Sequence, residues 1–255
     1  MESGDRLVAL ELGRRALELD ADCLAAHTLL AAVALDGLPY REAIARIHET
    51  LRPARYLEIG VGSGQTLMLV RPETVAVGVD PAPQLQCELP SNVRLVRTTS
   101  DAFFANDTLH DAFGGAPPDL AFIDGMHLFE FALRDFINVE RIASDKTRVL
   151  VHDCYPLDER TSAREQSTTF WTGDVWKLIM CLRKYRPDLE VQTFACPPSG
   201  LALVRGLDPS SRALAERYER ICEEFVPAGY ASLGESKAER LNLVPGNWNG
   251  IASLL

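Results

Sequence analysis

The chain has 255 residues, of which 47% are apolar and 24% charged, a balance that fits an ordinary globular protein and excludes a disordered or fibrous one. Its formal net charge of −10 would repel a phosphate backbone, so we expect no nucleic acid as principal partner. No apolar run reaches the ~18 residues of a membrane span and the N-terminus lacks a signal-peptide layout, so we expect a cytoplasmic protein without a membrane partner.

The N-terminal 50 residues carry a helical pattern. Apolar positions recur three and four apart from about residue 6, with a break at Asp36-Gly37-Leu38-Pro39. The alanine-rich spacing resembles a tetratricopeptide-type helix pair, but one pair is too short for a stacked solenoid. We therefore interpret residues 1–50 as a helical cap on the main domain, with a protein-docking module as the alternative.

Short apolar runs alternate with helical stretches from Arg55 onward. Runs without a polar face are typical of parallel strands covered by helices on both sides. Two later runs are joined by only six residues, too few for a parallel crossover, so this pair must be antiparallel. The seven predicted strands are 56–59, 75–79, 93–96, 120–123, 149–151, 190–194 and 201–204.

This pattern predicts an α/β fold with a Rossmann-like, doubly wound, seven-stranded sheet that closes with a C-terminal antiparallel hairpin. We expect the core to span residues 51–208, after the N-terminal helical segment. Residues 209–255 should form a C-terminal helix and tail. For the tail, a lid over the site and a homodimer contact both stay open.

A glycine-rich loop follows the first predicted strand. Gly60, Gly62 and Gly64 allow a tight turn and a close approach of backbone to ligand, and we expect a helix from about Gln65. Ligands of open α/β sheets bind beyond the carboxyl ends of the strands, where Asp80 ends the second strand and could accept hydrogen bonds from both hydroxyls of a ribose. A dinucleotide fingerprint would place its third glycine where this chain has Gln65.

The acid before the loop narrows the choice of ligand class further. Glu58 would repel a pyrophosphate, whereas a cationic methionine moiety tolerates a carboxylate. Residues 56–70 and the strand ending at Asp80 resemble motif I and the following acidic strand of class I S-adenosylmethionine-dependent methyltransferases. The resemblance implies that Glu58, Gly60 and Gly62 line the methionine part of the cofactor, that Gly64 completes the loop, and that Asp80 holds the ribose.

Ser100 and Asp101 directly follow the third predicted strand. In the family that the loop resembles, this place contacts the adenine amino group. A helix N-cap is an equally good interpretation of the pair.

A second cluster of polar side chains is predicted at the ends of strands four and five. Asp124 ends the fourth strand, and His127 and Glu130 follow at the expected start of a helix, three residues apart and on one face. His152 and Asp153 end the fifth strand. Since carboxyl ends of neighbouring parallel strands share one edge, two carboxylates and two imidazoles should converge beside the cofactor.

The Ile-Asp-Gly-x-His segment and the following His-Asp strand end resemble a subfamily of small-molecule O-methyltransferases of sugar and catechol type. Many of its members bind magnesium at these strand ends. The resemblance implies Asp124 and Asp153 as ligands of Mg²⁺, with Asp124 also beside the cofactor. His152 and Cys154 stand beside Asp153, where relatives usually have an acid or Asn. An imidazole and a thiol favour a softer divalent cation than Mg²⁺. The alternative has no metal and uses His127 or His152 as the base.

We therefore expect an enzyme that transfers a methyl group from S-adenosylmethionine to a hydroxyl of a small-molecule acceptor, in secondary metabolism. N-methylation and methylation of a protein recruited by the N-terminal helices are the alternatives. A nicotinamide-dependent oxidoreductase is less favoured, because neither GxGxxG nor Tyr-x-x-x-Lys is found. After strand five, Trp171 and Trp176 could form an apolar pocket wall, with Asp174 or Lys177 contacting the substrate.

Overall fold

The computed structural model describes residues 3–106 and 113–255. Its centre is a mixed sheet of eight strands in the order β3-β2-β1-β4-β5-β7-β6-β8. Strands β1 to β5 pair in parallel, and β7 pairs antiparallel with both β5 and β6. The strands are β1 (Arg55–Ile59), β2 (Val75–Val79), β3 (Val93–Val96), β4 (Leu120–Ile123), β5 (Arg148–His152), β6 (Glu190–Phe194), β7 (Leu201–Arg205) and β8 (Leu243–Val244).

The predicted fold class is confirmed, including the antiparallel hairpin that follows the parallel strands. The sheet has one strand more than the seven predicted. The tail returns to the sheet edge, where β8 pairs in parallel with β6 through the neighbours Thr193 and Leu243. A strand of two residues has no periodicity that a sequence pattern could reveal.

Nine α-helices lie in the described residues, and none of them is long and apolar enough to cross a membrane. Three precede the sheet, as the N-terminal pattern predicts, and the predicted break separates the second from the third. They are α1 (Ser3–Leu19), α2 (Leu24–Ala34), α3 (Tyr40–Leu51), α4 (Ser100–Ala105), α5 (Phe129–Arg141), α6 (Trp176–Tyr185), α7 (Tyr218–Phe225), α8 (Lys237–Arg240) and α9 (Trp248–Ala252).

The helix expected from Gln65 is not formed. The link between β1 and β2 contains only a 3₁₀ turn at Leu67–Leu69. Three glycines before this segment and Pro72 after it leave about seven residues, too few to sustain a helix on their own. The prediction of a helix here was therefore wrong.

Helix α3 covers the sheet face beside this short link. Its side chains of Ala43, Ile44 and Ile47 are fully buried against residues of β1, β2, β4 and β5. Burying each isoleucine contributes about 1.5–3 kcal/mol. The opposite face, reached by alternate strand residues, is covered by α5, α6 and α7. Helix α3 is thus a packing layer of the core.

The N-terminal segment, the hairpin and the tail meet at one point. The amide of Gly37 donates to the carbonyl of Ala195 at 3.0 Å, and the amide of Leu38 donates to the carbonyl of Gly246 at 2.9 Å. A Cβ on Gly37 or Gly246 would lie 2.4 or 2.5 Å from the Ala195 oxygen. Only glycines allow three backbones to approach this closely.

Candidate functional site

The glycine loop and the end of β4 are in direct backbone contact. Gly60 has a φ of +85°, and a Cβ there would lie 2.1 Å from the carbonyl oxygen of Asp124. Gly62 also has a positive φ, +50°, but no atom lies within 4 Å of its Cβ position, so it faces open space. Gly64 packs instead against Leu85. The glycine loop therefore packs directly against the end of β4, which carries Asp124.

Asp80 holds the glycine loop in place. One carboxylate oxygen, Oδ2, accepts hydrogen bonds from the amides of Val61 and Gly62, each at 2.9 Å. The other, Oδ1, accepts from the amide of Ala82 at 2.8 Å. A carboxylate has about four lone-pair sites, and three are used here, so one site on Oδ1 remains for a ribose hydroxyl.

Glu58 lies beneath the loop, not in the cleft. Its side chain is fully buried and accepts hydrogen bonds from the hydroxyls of Tyr56, at 2.7 Å, and Thr66, at 2.6 Å. Burial raises the pKa of the Glu58 carboxyl to about 8. This geometry supports the loop from below and replaces the expected placement along the methionine part of a cofactor.

The cleft above the loop has a volume of about 560 Å³, enough for a nucleoside-sized ligand. Six of the predicted cofactor residues line it, whereas Glu58 and Gly64 do not. The six are Gly60, Gly62, Asp80, Ser100, Asp101 and Asp124.

Ser100 and Asp101 are not the N-cap of α4. That role belongs to Thr99, whose Oγ1 accepts a hydrogen bond from the amide of Ala102 at 3.2 Å. Asp101 forms an ion pair with Arg134 at 3.0 Å. The N-cap interpretation is therefore wrong, whereas the adenine contact stays a prediction for two residues that do line the cleft.

The ends of β4 and β5 bring two histidines and two aspartates together. Nδ1 of His152 lies 3.1 Å from Oδ1 of Asp124, and Nδ1 of His127 lies 3.1 Å from Oδ2 of Asp153. Nε2 of His127 is 3.5 Å from Oδ1 of Asp124, which is longer than a normal hydrogen bond. The convergence expected from the sequence is therefore present.

The charges of this cluster stabilise one another. Burial disfavours a charged His127, but Asp153 and Asp124 outweigh it and raise the pKa of the imidazole to about 10. The pKa of His152 is raised too, since the same carboxylates outweigh its burial. Although burial acts in the opposite sense, the two imidazoles hold the pKa of Asp124 below its usual range.

Asp153 is under backbone strain. Its φ of +59° is a left-handed value that a non-glycine residue adopts at a free-energy cost of about 1–3 kcal/mol. Its Oδ2 is buried and accepts no hydrogen bond from the described residues, because Nδ1 of His127 is directed at the carbonyl of Trp171. A strained residue with an unsatisfied buried oxygen marks a place where a ligand can complete the structure.

Glu130 lies outside this cluster. The helix begins at Phe129, so His127 precedes it, and Glu130 forms a two-pronged ion pair with Arg164 at 2.6 and 3.0 Å. The expectation that His127 and Glu130 share one helix face at the site is therefore wrong.

The aromatic segment after β5 divides into a site-facing part and a core part. The Trp171 ring stacks on His127 with centroids 5.4 Å apart, whereas Trp176 is 1% exposed. Asp174 accepts from the amide of Phe129 at 2.7 Å and pairs with Lys177 at 2.7 Å, both buried. Asp174 and Lys177 thus fix the start of α5 and do not line the cleft, contrary to the expectation of a substrate contact.

Three site residues were missed by the sequence reasoning. The ring of Tyr40 stacks on His152 with centroids 4.0 Å apart, and Arg41 beside it lines the cleft. The hydroxyl of Ser199 lies 3.1 Å from Nε2 of His152. All three reach the site through tertiary packing from segments far away in sequence, and no motif at these positions could have shown it.

The α1–α2 pair contacts the segment that leads to Trp171. Oδ2 of Asp22 accepts a hydrogen bond from the hydroxyl of Thr169 at 2.9 Å. The His27 ring stacks on Phe170 with centroids 5.6 Å apart. The N-terminal helices therefore brace one wall of the site.

Comparison with known proteins agrees with this geometry. A methyltransferase-domain family matches residues 57–154, from β1 through the glycine loop to the end of β5. No curated protein matches the sequence.

Two solved structures share the fold. Cofactor-bound Rv0187 from MTB aligns with a TM-score of 0.52 at 16% identity, over 72% of this chain and 89% of that one. An O-methyltransferase from Bacillus cereus in complex with SAH aligns with a TM-score of 0.50 at 12% identity, over 78% of this chain and 90% of that one. With the glycine loop and Asp80 in place, residues 57–154 are thus a methyltransferase domain, and the sheet with its terminal hairpin has the fold of class I S-adenosylmethionine-dependent methyltransferases.

Proposed function

We propose that the enzyme methylates a hydroxyl of a small-molecule acceptor that binds beside the four-residue cluster of Asp124, His127, His152 and Asp153. The observation that carries this proposal is the convergence of the four side chains at the edge of the cofactor cleft. The Bacillus cereus protein of similar fold is an O-methyltransferase, which is consistent with the proposal.

Methyl transfer from a sulfonium is an in-line displacement, so catalysis is largely positioning of the nucleophile near the methyl group. The backbone contact between Gly60 and Asp124 brings the cluster next to the loop that would hold the methionine moiety. A hydroxyl must also lose its proton to become a good nucleophile. The cluster supplies groups for both tasks.

A divalent cation fits this cluster. Ligand atoms of Asp124, His152 and Asp153 all lie within 4.8 Å of one another, and the unsatisfied Oδ2 of Asp153 offers a free carboxylate oxygen. Paired carboxylates suit Mg²⁺, which keeps several of its waters, so we propose Asp124 and Asp153 as its ligands. A bound divalent cation lowers the pKa of a coordinated hydroxyl.

We assign different roles to the two histidines. Both nitrogens of His152 are engaged, Nδ1 with Asp124 and Nε2 with Ser199, so His152 positions Asp124. Nε2 of His127 makes no hydrogen bond with the described residues, but the imidazole is protonated at neutral pH because Asp153 and Asp124 raise its pKa to about 10. A cation bound by Asp124 and Asp153 would offset these carboxylates, lower that pKa and allow Nε2 to accept the proton of the acceptor hydroxyl. His127 is thus our candidate base.

An acceptor screen tests the proposal. Full-length protein would be incubated with methyl-labelled S-adenosylmethionine and a panel of catechols, sugars, amines and peptides. We expect label transfer to a hydroxyl compound by the wild type and none by Asp153→Ala. Transfer to amines or peptides alone would favour the alternative of N-methylation or protein methylation and contradict the proposal.

The metal is tested separately. The enzyme would be dialysed against EDTA and assayed with and without added Mg²⁺ or Mn²⁺. We expect activity to fall at least about a hundredfold and to return with the metal, because the acceptor hydroxyl would otherwise lose the coordination that lowers its pKa. Full activity after EDTA would contradict the proposed cation.

A further inference from the structure

Apart from one arginine and the imidazole of His127, the cleft is lined by acidic and neutral groups. Four carboxylates face it, those of Asp80, Asp101, Asp124 and Asp135. Among the described residues that line it, Arg41 is the only lysine or arginine. Its position, on the first turn of α3, lies outside the segment that matches the methyltransferase-domain family.

Within residues 3–106 and 113–255, Arg41 has no carboxylate partner. Other arginines nearby form ion pairs, Arg46 with Glu42 at 2.6 Å and Arg71 with Glu49 and Glu73. No carboxylate in the described part of the chain lies within ion-pairing distance of Arg41, whose guanidinium carbon sits 5.2 Å from the centroid of the Tyr40 ring. Arg41 is an exposed residue of the cleft lining, so its guanidinium can reach a ligand there.

The backbone that carries this side chain is held firmly. Ala43, Ile44 and Ile47 of α3 are fully buried, and the amide of Tyr40 donates to the carbonyl of Pro197 at 3.0 Å. A rigid backbone that presents one free guanidinium at a cleft is a preorganised anion-binding arrangement, because only side-chain freedom is lost on binding.

The cofactor brings a matching charge. Its methionine part carries a positive sulfonium, a positive ammonium and a negative carboxylate. The acidic lining favours the two positive groups, but it repels the carboxylate unless a cation is near. A guanidinium presents two parallel N–H donors that match a carboxylate.

We propose that Arg41 binds the methionine carboxylate of S-adenosylmethionine, so that the N-terminal helix α3 forms part of the cofactor site. This inference rests on the cofactor and not on the acceptor proposed above. It also gives α3 a role in ligand binding besides its packing role in the core.

Isothermal titration calorimetry tests this with two ligands, S-adenosylhomocysteine and its analogue that lacks the carboxylate. The proteins are full-length wild type, Arg41→Ala, Arg41→Lys and Arg46→Ala. Arg46 is a matched control, since it removes one exposed arginine from the same helix outside the cleft.

We expect the wild type to bind S-adenosylhomocysteine about tenfold more tightly than the analogue, a modest factor because the pair is partly exposed to solvent. Arg41→Ala should weaken the binding of S-adenosylhomocysteine about five- to twentyfold and the binding of the analogue less than about twofold. Arg41→Lys should keep part of the preference, and Arg46→Ala all of it.

Two results would overturn the inference. In one, Arg41→Ala weakens both ligands equally, which would indicate a structural role. In the other, it weakens neither, which would leave Arg41 free for an acceptor. A wild type that binds neither ligand would instead contradict the cofactor assignment itself, so the two failures are distinguishable.

Discussion

The two halves of the carboxyl edge of the sheet are built on different principles. At the end of β2, Asp80 has both carboxylate oxygens bound to backbone amides of its own chain. At the end of β5, Asp153 has a strained backbone and a buried oxygen without a hydrogen bond from the described residues. The first half is complete before a ligand arrives, and the second is not.

This difference separates positioning from chemistry. A satisfied network such as the one around Asp80 is rigid, and it fixes a ligand without rearrangement. The end of β5, called the acceptor half because the acceptor would bind there, keeps groups that can still bind an ion or exchange a proton. Variants of the two halves should therefore affect different steps of the reaction.

The largest effects are expected when each of the two aspartates is replaced by alanine. Asp153→Ala should lower kcat at least about a thousandfold with S-adenosylhomocysteine affinity within about threefold, because only the acceptor half is damaged. Asp80→Ala should weaken S-adenosylhomocysteine about ten- to hundredfold, with a much smaller change of kcat at saturating cofactor. Calorimetry and steady-state kinetics measure both quantities, and a fully active Asp153→Ala would refute the proposed site.

A smaller effect, on stability, is expected at the contact between the glycine loop and the end of β4. Alanine at Gly60 would place a Cβ 2.1 Å from the Asp124 carbonyl at a φ of +85°. We expect the free energy of unfolding to fall by about 3 kcal/mol or more, with loss of cofactor binding. Gly62→Ala is the matched control, because its Cβ meets open space, and it should lose only about 1 kcal/mol. Urea denaturation of both variants checks the difference, and equal losses would contradict the contact.

The smallest effect, per unit of pH, concerns the support beneath the loop. Burial raises the pKa of Glu58 to about 8 from an ordinary value of 4.5. Between these values the native carboxyl is protonated while the unfolded one is ionised, so stability falls as pH rises, by at most about 1.4 kcal/mol per pH unit. Glu58→Gln should remove this slope in urea denaturation from pH 5 to 8. Identical slopes in the two proteins would show that Glu58 is ionised when folded.

The sequence was most informative where the signal is local. Unbroken apolar runs predicted the strands, and the six-residue link predicted the antiparallel hairpin. The prediction of a helix from Gln65 was wrong. A glycine loop of this kind is usually followed by a helix, but in this protein α3 packs on the sheet in that region. Such a replacement depends on tertiary packing, which no local pattern encodes.

The candidate site shows the same limit. Asp124, His127, His152 and Asp153 were predictable as neighbours, because strand ends of a parallel sheet share an edge. Tyr40, Arg41 and Ser199 were not, since each is delivered by an element whose docking could not be foreseen. The side chains missed by sequence are those contributed from outside the parallel strands.

The joint of Gly37, Ala195 and Gly246 has a consequence for the order of assembly. The N-terminal helices leave the ribosome first, yet their hydrogen-bond partners at this joint are synthesised roughly two hundred residues later. At about 5–20 residues per second, α3 would wait on the order of 10–40 s for them. Its apolar stripe needs shielding during that interval, and the pocket wall that carries Arg41 would be among the last parts of the enzyme to mature.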